Sequence, residues 1–136
     1  MDDELRSCDV TTIPPLAPIG KYRARVISVY DGDTVTVVHR WGDRLYKSNV
    51  RLLDIDAPEL HPRMNTTNRT EVIRQAKNAR EALATMVQDK IVDYQACGWD
   101  KYGGRVLGRL WSDGKCVNQE MLKVEGVKAY NGGAKN

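Results

Sequence analysis

The feature that most constrains the fold is a change of hydrophobic period partway along the chain. From Tyr22 to Tyr30 and from Thr34 to Arg40, β-branched residues dominate on either side of Asp31-Gly32, a pair suited to a tight turn with positive φ. This pattern predicts a hairpin. Trp41-Gly42-Asp43-Arg44 supplies a second turn before a strand from Leu45 to Ile55, and short links join antiparallel neighbours into a meander. Beyond Pro58 the period changes: Val72, Ala76, Ala79, Leu83 and Met86 recur at spacings of four and three, opposite Arg74, Lys77, Arg80 and Glu81. An amphipathic helix is expected there, with Asn68 as its cap and Glu71 placed for a capping box.

Ile91 to Ala96 and Val106 to Trp111 read as two further strands, Asp113-Gly114 as a turn, and Asn118 to Glu125 as a short helix ended by Gly126. The expected class is therefore α+β, mainly β. Five strands with a helix between the third and fourth form the layout of a five-stranded antiparallel OB-fold barrel with two helices. Residues 1–20, with Pro14, Pro15 and Pro18 and no sustained periodicity, read as an extended arm. The domain is placed at residues 21–131 and a tail at 132–136. The segment from Leu60 to Arg69 reads as a mobile loop.

With 136 residues, 41% hydrophobic and 29% charged, one self-sufficient core is expected. The net charge of +3 is a mild bias towards polyanionic partners. Cys8, Cys97 and Cys116 are odd in number and share no metal-ligand spacing with His39 or His61, which argues against structural zinc. The acidic start Met1-Asp2-Asp3-Glu4, with no apolar run after it, predicts a soluble, intracellular protein without membrane contact, and a monomer is expected.

Asp33, Asp54, Asp56 and Glu59 cluster at predicted strand ends, and each alone is explained by the preference of Asp for turns. The spacing within Arg51-Leu52-Leu53-Asp54-Ile55-Asp56-Ala57-Pro58-Glu59 says more. A period of two places Arg51, Leu53 and Ile55 on one face, and Asp54 and Asp56 on the other. Ala57-Pro58 then breaks the ladder, so Glu59 can return towards Asp56. Calcium seeks hard oxygens, which carboxylates and a main-chain carbonyl provide. Hydrolysis of a phosphodiester needs an activated water and positive charge on the phosphoryl oxygens, a task suited to the fork of arginine; Arg51 and Arg105 are the candidate pair.

Asp31-Gly32-Asp33-Thr34-Val35, Arg51-Leu52-Leu53 through Asp56-Ala57-Pro58-Glu59, Asp100-Lys101-Tyr102-Gly103, and Asp113-Gly114-Lys115 followed by Val117-Asn118 occur in that order. Together they resemble the staphylococcal nuclease (thermonuclease) family over roughly residues 21–131. The resemblance implies an OB barrel and calcium-dependent cleavage of DNA and RNA that leaves 3′-phosphates. It implies Asp33, Asp56 and the backbone carbonyl of Ala57 as Ca2+ ligands, and Glu59 as the residue that activates or orients water. Arg51 and Arg105 resemble the phosphate clamps, and Lys101 and Tyr102 the residues that hold a neighbouring nucleotide phosphate.

Three departures qualify the match. Ala57 stands where the best-known member has threonine, which a main-chain ligand tolerates. Gly103-Gly104 adds a glycine before Arg105. The chain ends soon after Tyr130, without the terminal helix of the longest members, so the arm with Leu16 and Ile19 is a candidate cover for that side of the barrel. Two rivals remain: a catalytically weak or inactive nucleic-acid-binding module, which should lack part of this charged set, and a plain OB-fold single-strand binder. The second would need stacking aromatics; Phe is absent, and Tyr22, Tyr30, Tyr46 and Tyr94 are the candidates.

Overall fold

The computed structural model describes residues 2–9, 11, 19–101 and 103–130. Tyr102 and the arm residues Pro14, Pro15, Leu16 and Pro18 lie outside the described residues. In chain order the elements are α1 (Asp2–Ser7), β1 (Gly20–Asp31), β2 (Thr34–Trp41), β3 (Arg44–Leu52), β4 (Ile55–Asp56), α2 (Arg69–Val87), β5 (Ile91–Trp99), β6 (Val106–Ser112), β7 (Lys115–Cys116), α3 (Val117–Met121) and β8 (Lys128–Ala129).

Alternation drives the barrel. In β1, Ala24 and Val26 are buried while Lys21, Arg23 and Arg25 face solvent; Val35 and Val37, Val92 and Tyr94, and Val106 and Leu110 repeat the pattern on β2, β5 and β6. The strands run β3-β2-β1-β5-β6, and β3 also pairs with β6, closing a five-stranded OB barrel with β7 outside it. The closing pair is parallel, Val50 to Val106, Arg51 to Leu107 and Leu52 to Gly108, whereas the other barrel pairs are antiparallel. This seam needs Gly108, because a Cβ there would meet Tyr94 Cε1 at 2.8 Å and Gln95 O at 2.9 Å.

β1 serves two neighbours: Gly20 to Arg25 pairs with β5 and Ala24 to Asp31 with β2, with register shifts between Val26 and Ser28 and between Val29 and Asp31. Such bulges bend a strand and sharpen its twist. The first is held by the end of α2: Lys90 O accepts from the Val26 N–H, Val26 O accepts from the Asp89 N–H, and the Gln88 side chain donates to Ile27 O at 3.0 Å. α2 lays Ala76, Ala79, Leu83 and Val87 onto the core, the face that its periodicity predicted to within a residue at the end. Full burial of one such leucine is worth about 1.5–3 kcal/mol.

Several expectations need correction. The strand expected to run to Ile55 stops at Leu52, since Asp54 takes φ 72°, a left-handed conformation that Asp tolerates better than most residues. Arg51 and Asp54 are therefore not on faces set by one period. Asn68 also adopts φ 55° and makes no side-chain cap bond, while Glu71 is drawn to Arg74 instead of closing a capping box. The last helix stops at Met121 and not at Glu125, because the chain tightens into successive i→i+3 bonds from Leu122 to Val124. In the arm, residues 2–7 are helical where an extended chain was expected, and Ile19 is 68% exposed, so it covers nothing. β8, which the sequence did not announce, pairs with β4. Among the described residues no helix is long and apolar enough to cross a membrane.

The β1–β2 turn is centred on Gly32-Asp33, with Asp31 and Thr34 as its flanking pair. Gly32 is required there for space and not for positive φ: a Cβ would lie 2.7 Å from the Ala79 Cβ and 2.8 Å from the Ala57 Cβ. Asn118 is buried and fully used, donating to Leu53 O (2.9 Å) and Gly108 O (3.1 Å) and accepting from the Leu110 N–H (3.1 Å).

Two outcomes follow from this packing. Gly32→Ala forces apart two methyl groups that have no rotamer to change, so urea denaturation should show a loss of about 1–3 kcal/mol. Asn118→Ala strands a buried N–H and a carbonyl, so the urea midpoint should fall by the equivalent of roughly 2–4 kcal/mol with the slope unchanged.

Candidate active site

The site is assembled at one end of the barrel, where the β1–β2 turn meets the ends of β3 and β5. The turn organises itself first: the Asp31 carboxylate accepts the Asp33 N–H at 3.0 Å, as Asp commonly does two residues along. This aims Asp33 inward, where it is only 6% exposed. Its Oδ1 accepts the Thr34 hydroxyl at 3.0 Å and its Oδ2 accepts the Ala57 N–H at 2.9 Å, so the carboxylate ties the turn to the chain beyond β4. Crowding shows in Asp31, whose carboxyl is pushed up to about 6, first by burial and then by the neighbouring Asp33.

Arg51 stands opposite Thr34 in the β2–β3 ladder. Its Nη1 donates to Leu52 O (2.8 Å) and Ile55 O (2.9 Å), while Asp33 Oδ2 lies 3.4 Å from Nη1 and Asp56 Oδ1 lies 3.5 Å from Nη2. Both protons of Nη1 thus go to main-chain carbonyls, and Asp33 acts on it mainly as a charge. The side chain is 12% exposed and its guanidinium carbon sits 5.8 Å from the centre of the Tyr130 ring. The two carboxylates and the arginine form one compact ion cluster. These contacts engage Nη1 and Nη2, and Nε makes no hydrogen bond among the described residues.

Arg105, in the loop just before β6, joins this cluster. Its Nε donates to Asp100 at 3.0 Å and its Nη1 reaches Thr34 Oγ1 at 3.5 Å. Asp100 is held in turn by a main-chain bond from its N–H to Arg105 O. The extra glycine is absorbed in this loop, where Gly103 takes φ 75° and donates to Asp100 O. A continuous path therefore runs from Arg51 through Asp33 and Thr34 to Arg105.

Asp33, Arg51, Asp56 and Arg105 are thus brought together, and Ala57 touches the cluster through its N–H. Glu59 lies past Pro58 and is exposed, with no hydrogen bond among the described residues, and Lys101 is also exposed. Tyr102 is outside the described residues. Asp54 does not share a face with Asp56: it binds Arg109 Nη2 at 2.9 Å, and this pairing raises the affinity of the arginine for its proton. Asp31, Thr34, Asp100 and Tyr130 belong to the site without having been assigned a role from sequence. Hairpin register alone would have placed Thr34 opposite Arg51, and Asp100 is five residues before the arginine it orients; nothing local marks Tyr130. Among the described residues no three His, Cys, Asp or Glu side chains converge in metal-holding geometry.

Comparison with known proteins finds a matching family and several relatives. Residues 49–131 match the family model described as staphylococcal nuclease homologue. A probable staphylococcal-like nuclease, CAN1, of Oryza sativa subsp. japonica is 36% identical over 57% of this chain, and endonuclease YhcR of Bacillus subtilis (strain 168) is 32% identical over 88% of it. Protein ParB of Escherichia coli is 38% identical over 73% of the chain. The chain spans 20%, 10% and 44% of the lengths of these relatives, respectively. The matched segment carries Arg51, Asp56, Glu59 and Arg105, and on this match the chain belongs to the staphylococcal nuclease homologue family.

Proposed function

We propose that this domain is a calcium-dependent phosphodiesterase that cuts DNA and/or RNA with little sequence specificity and leaves 3′-phosphates. The observation that carries the reading is the ion cluster: Arg51 held between Asp33 and Asp56, and linked through Thr34 to Arg105. A barrel needs no such cluster to fold, since buried ion pairs are often matched or bettered by apolar packing.

The donor set suits calcium: hard oxygens from Asp33, Asp56 and the Ala57 carbonyl, with Asp31 crowded against Asp33. When bound, the ion would supply charge stabilisation to a phosphoryl oxygen. The chain's own groups do the rest. Arg51 offers the Nε and Nη2 edge as a two-pronged donor, held in place by the carbonyls that Nη1 grips. Arg105, half out in solvent and braced by Asp100, offers a second cation to the same phosphate. Glu59, exposed beyond Pro58, aligns the attacking water or takes its proton as a new P–O bond forms. The bond from phosphorus to the 5′-oxygen breaks, the departing oxygen takes a proton from solvent, and the phosphate stays on the 3′ side. Contacts of this kind address phosphate and sugar, which carry little base information.

Purified protein should cleave single-stranded DNA, duplex DNA or RNA with calcium and stop when chelator is added. In the same assay Glu59→Ala should lower kcat on the order of a hundredfold or more while the melting temperature holds, because Glu59 is exposed. Binding of nucleic acid without cleavage under all conditions would instead identify a binding module. Arg51→Lys keeps the charge but loses the fork and the carbonyl bonds, so turnover should fall on the order of a hundredfold or more and the melting temperature should drop; near-normal turnover would remove Arg51 from the clamp.

A further inference from the structure

A groove of about 390 Å³ runs away from the candidate active site over the outside of the barrel, lined by Ser28, Val29, Tyr30, Thr34, Thr36, Asn49 and Arg105. Its volume is within the range of small-ligand sites. Two of its residues, Thr34 and Arg105, belong to the ion cluster, so the groove and the cluster are continuous. Its floor is a cross-strand row set by register: Ser28 pairs with Thr36, and Thr36 with Asn49.

Tyr30 occupies the second β1 bulge, between the paired positions Val29 and Asp31. A bulged residue is released from the ladder and can be re-aimed, and here the ring stands 61% exposed at the edge of the groove. Asn49 is oriented by Thr36, whose hydroxyl donates to Asn49 Oδ1 at 2.8 Å, which turns the amide N–H₂ away as a donor. The lining holds one cation and no carboxylate. An aromatic plate, fixed neutral donors and an arginine at the inner end match an aromatic base on a phosphorylated sugar.

We infer that this groove seats the nucleoside next to the phosphate held at Arg51 and Arg105, with its base stacked on Tyr30 and its sugar-phosphate edge facing Asn49, Thr36 and Ser28. The inference rests on the phosphodiester reading for the position of that phosphate. It makes the substrate a strand whose base at this step is unpaired, because a base within a duplex cannot present its face to Tyr30.

The test is fluorescence titration with a single-stranded trinucleotide that has phosphorothioate linkages and 2-aminopurine bases, which reports stacking and resists cleavage. Wild-type protein should quench the probe, Tyr30→Ala should bind about tenfold more weakly and lose the quench, and Tyr30→Phe should restore both; Asn49→Ala should weaken binding while the quench persists. Tyr30 and Asn49 are exposed, and unchanged melting temperatures confirm that the variants are folded. No quench by wild-type protein, or the same binding and quench in Tyr30→Ala, overturns the groove assignment. If wild-type protein cleaves nothing in calcium but the Tyr30 dependence holds, the catalytic reading falls and the groove stands.

Discussion

Everything at the working end of this barrel depends on one guanidinium. Arg51 lies where β3 stops, and with one nitrogen it holds the carbonyls of Leu52 and Ile55, fixing the bend that brings Asp56 back beside it. The same group neutralises Asp33, a carboxylate that would otherwise be buried without a charge partner. Such a loss is expensive, since an unpaired buried charge costs several kcal/mol. Fold and proposed chemistry are therefore not separable at this residue: the bonds that shape the turn also orient the guanidinium that the proposed function offers to phosphate.

The second arginine is placed by a different logic. Arg105 is tethered by Asp100 and reaches the cluster only through the Thr34 hydroxyl. It sits on a loop that accommodates an inserted glycine, and its side chain is much more exposed than that of Arg51. One arginine is thus buried and structural while the other is half in solvent, a division that would suit the proposed function, in which the site admits and releases a polymer.

What could be read from the sequence followed the range of the forces involved. The strands and α2 were legible because alternation and helical spacing are local, and the charged cluster was legible because its residues recur in a familiar order. The breaks were less visible. Asp54 and Asn68 adopt left-handed conformations where simple periodicity or capping chemistry expects something else. The closing contacts were not legible at all: Asn118 reaches Leu53 across 65 positions, Arg109 reaches Asp54 across 55, and β8 returns to β4 from the far end of the domain. The sequence marks Asn118 as a helix start and part of a motif; its role as a staple between β6 and the turn after β3 emerges only in three dimensions.

The direction of β2 separates two regimes within one small domain. It runs from Thr34 in the ion cluster to Trp41, and at about 3.3 Å per residue its eight residues put the Gly42-Asp43 turn roughly 20–25 Å from the cluster. Trp41, Leu45 and Tyr46 flank the turn and are exposed, and the Trp41 and Tyr46 rings meet edge-on there, far from the cluster. Length and composition can therefore drift at this tip without penalty to the chemistry, whereas a single added methyl at Gly32 collides with two neighbours. One pole of the barrel is free to diversify, and the other is nearly frozen.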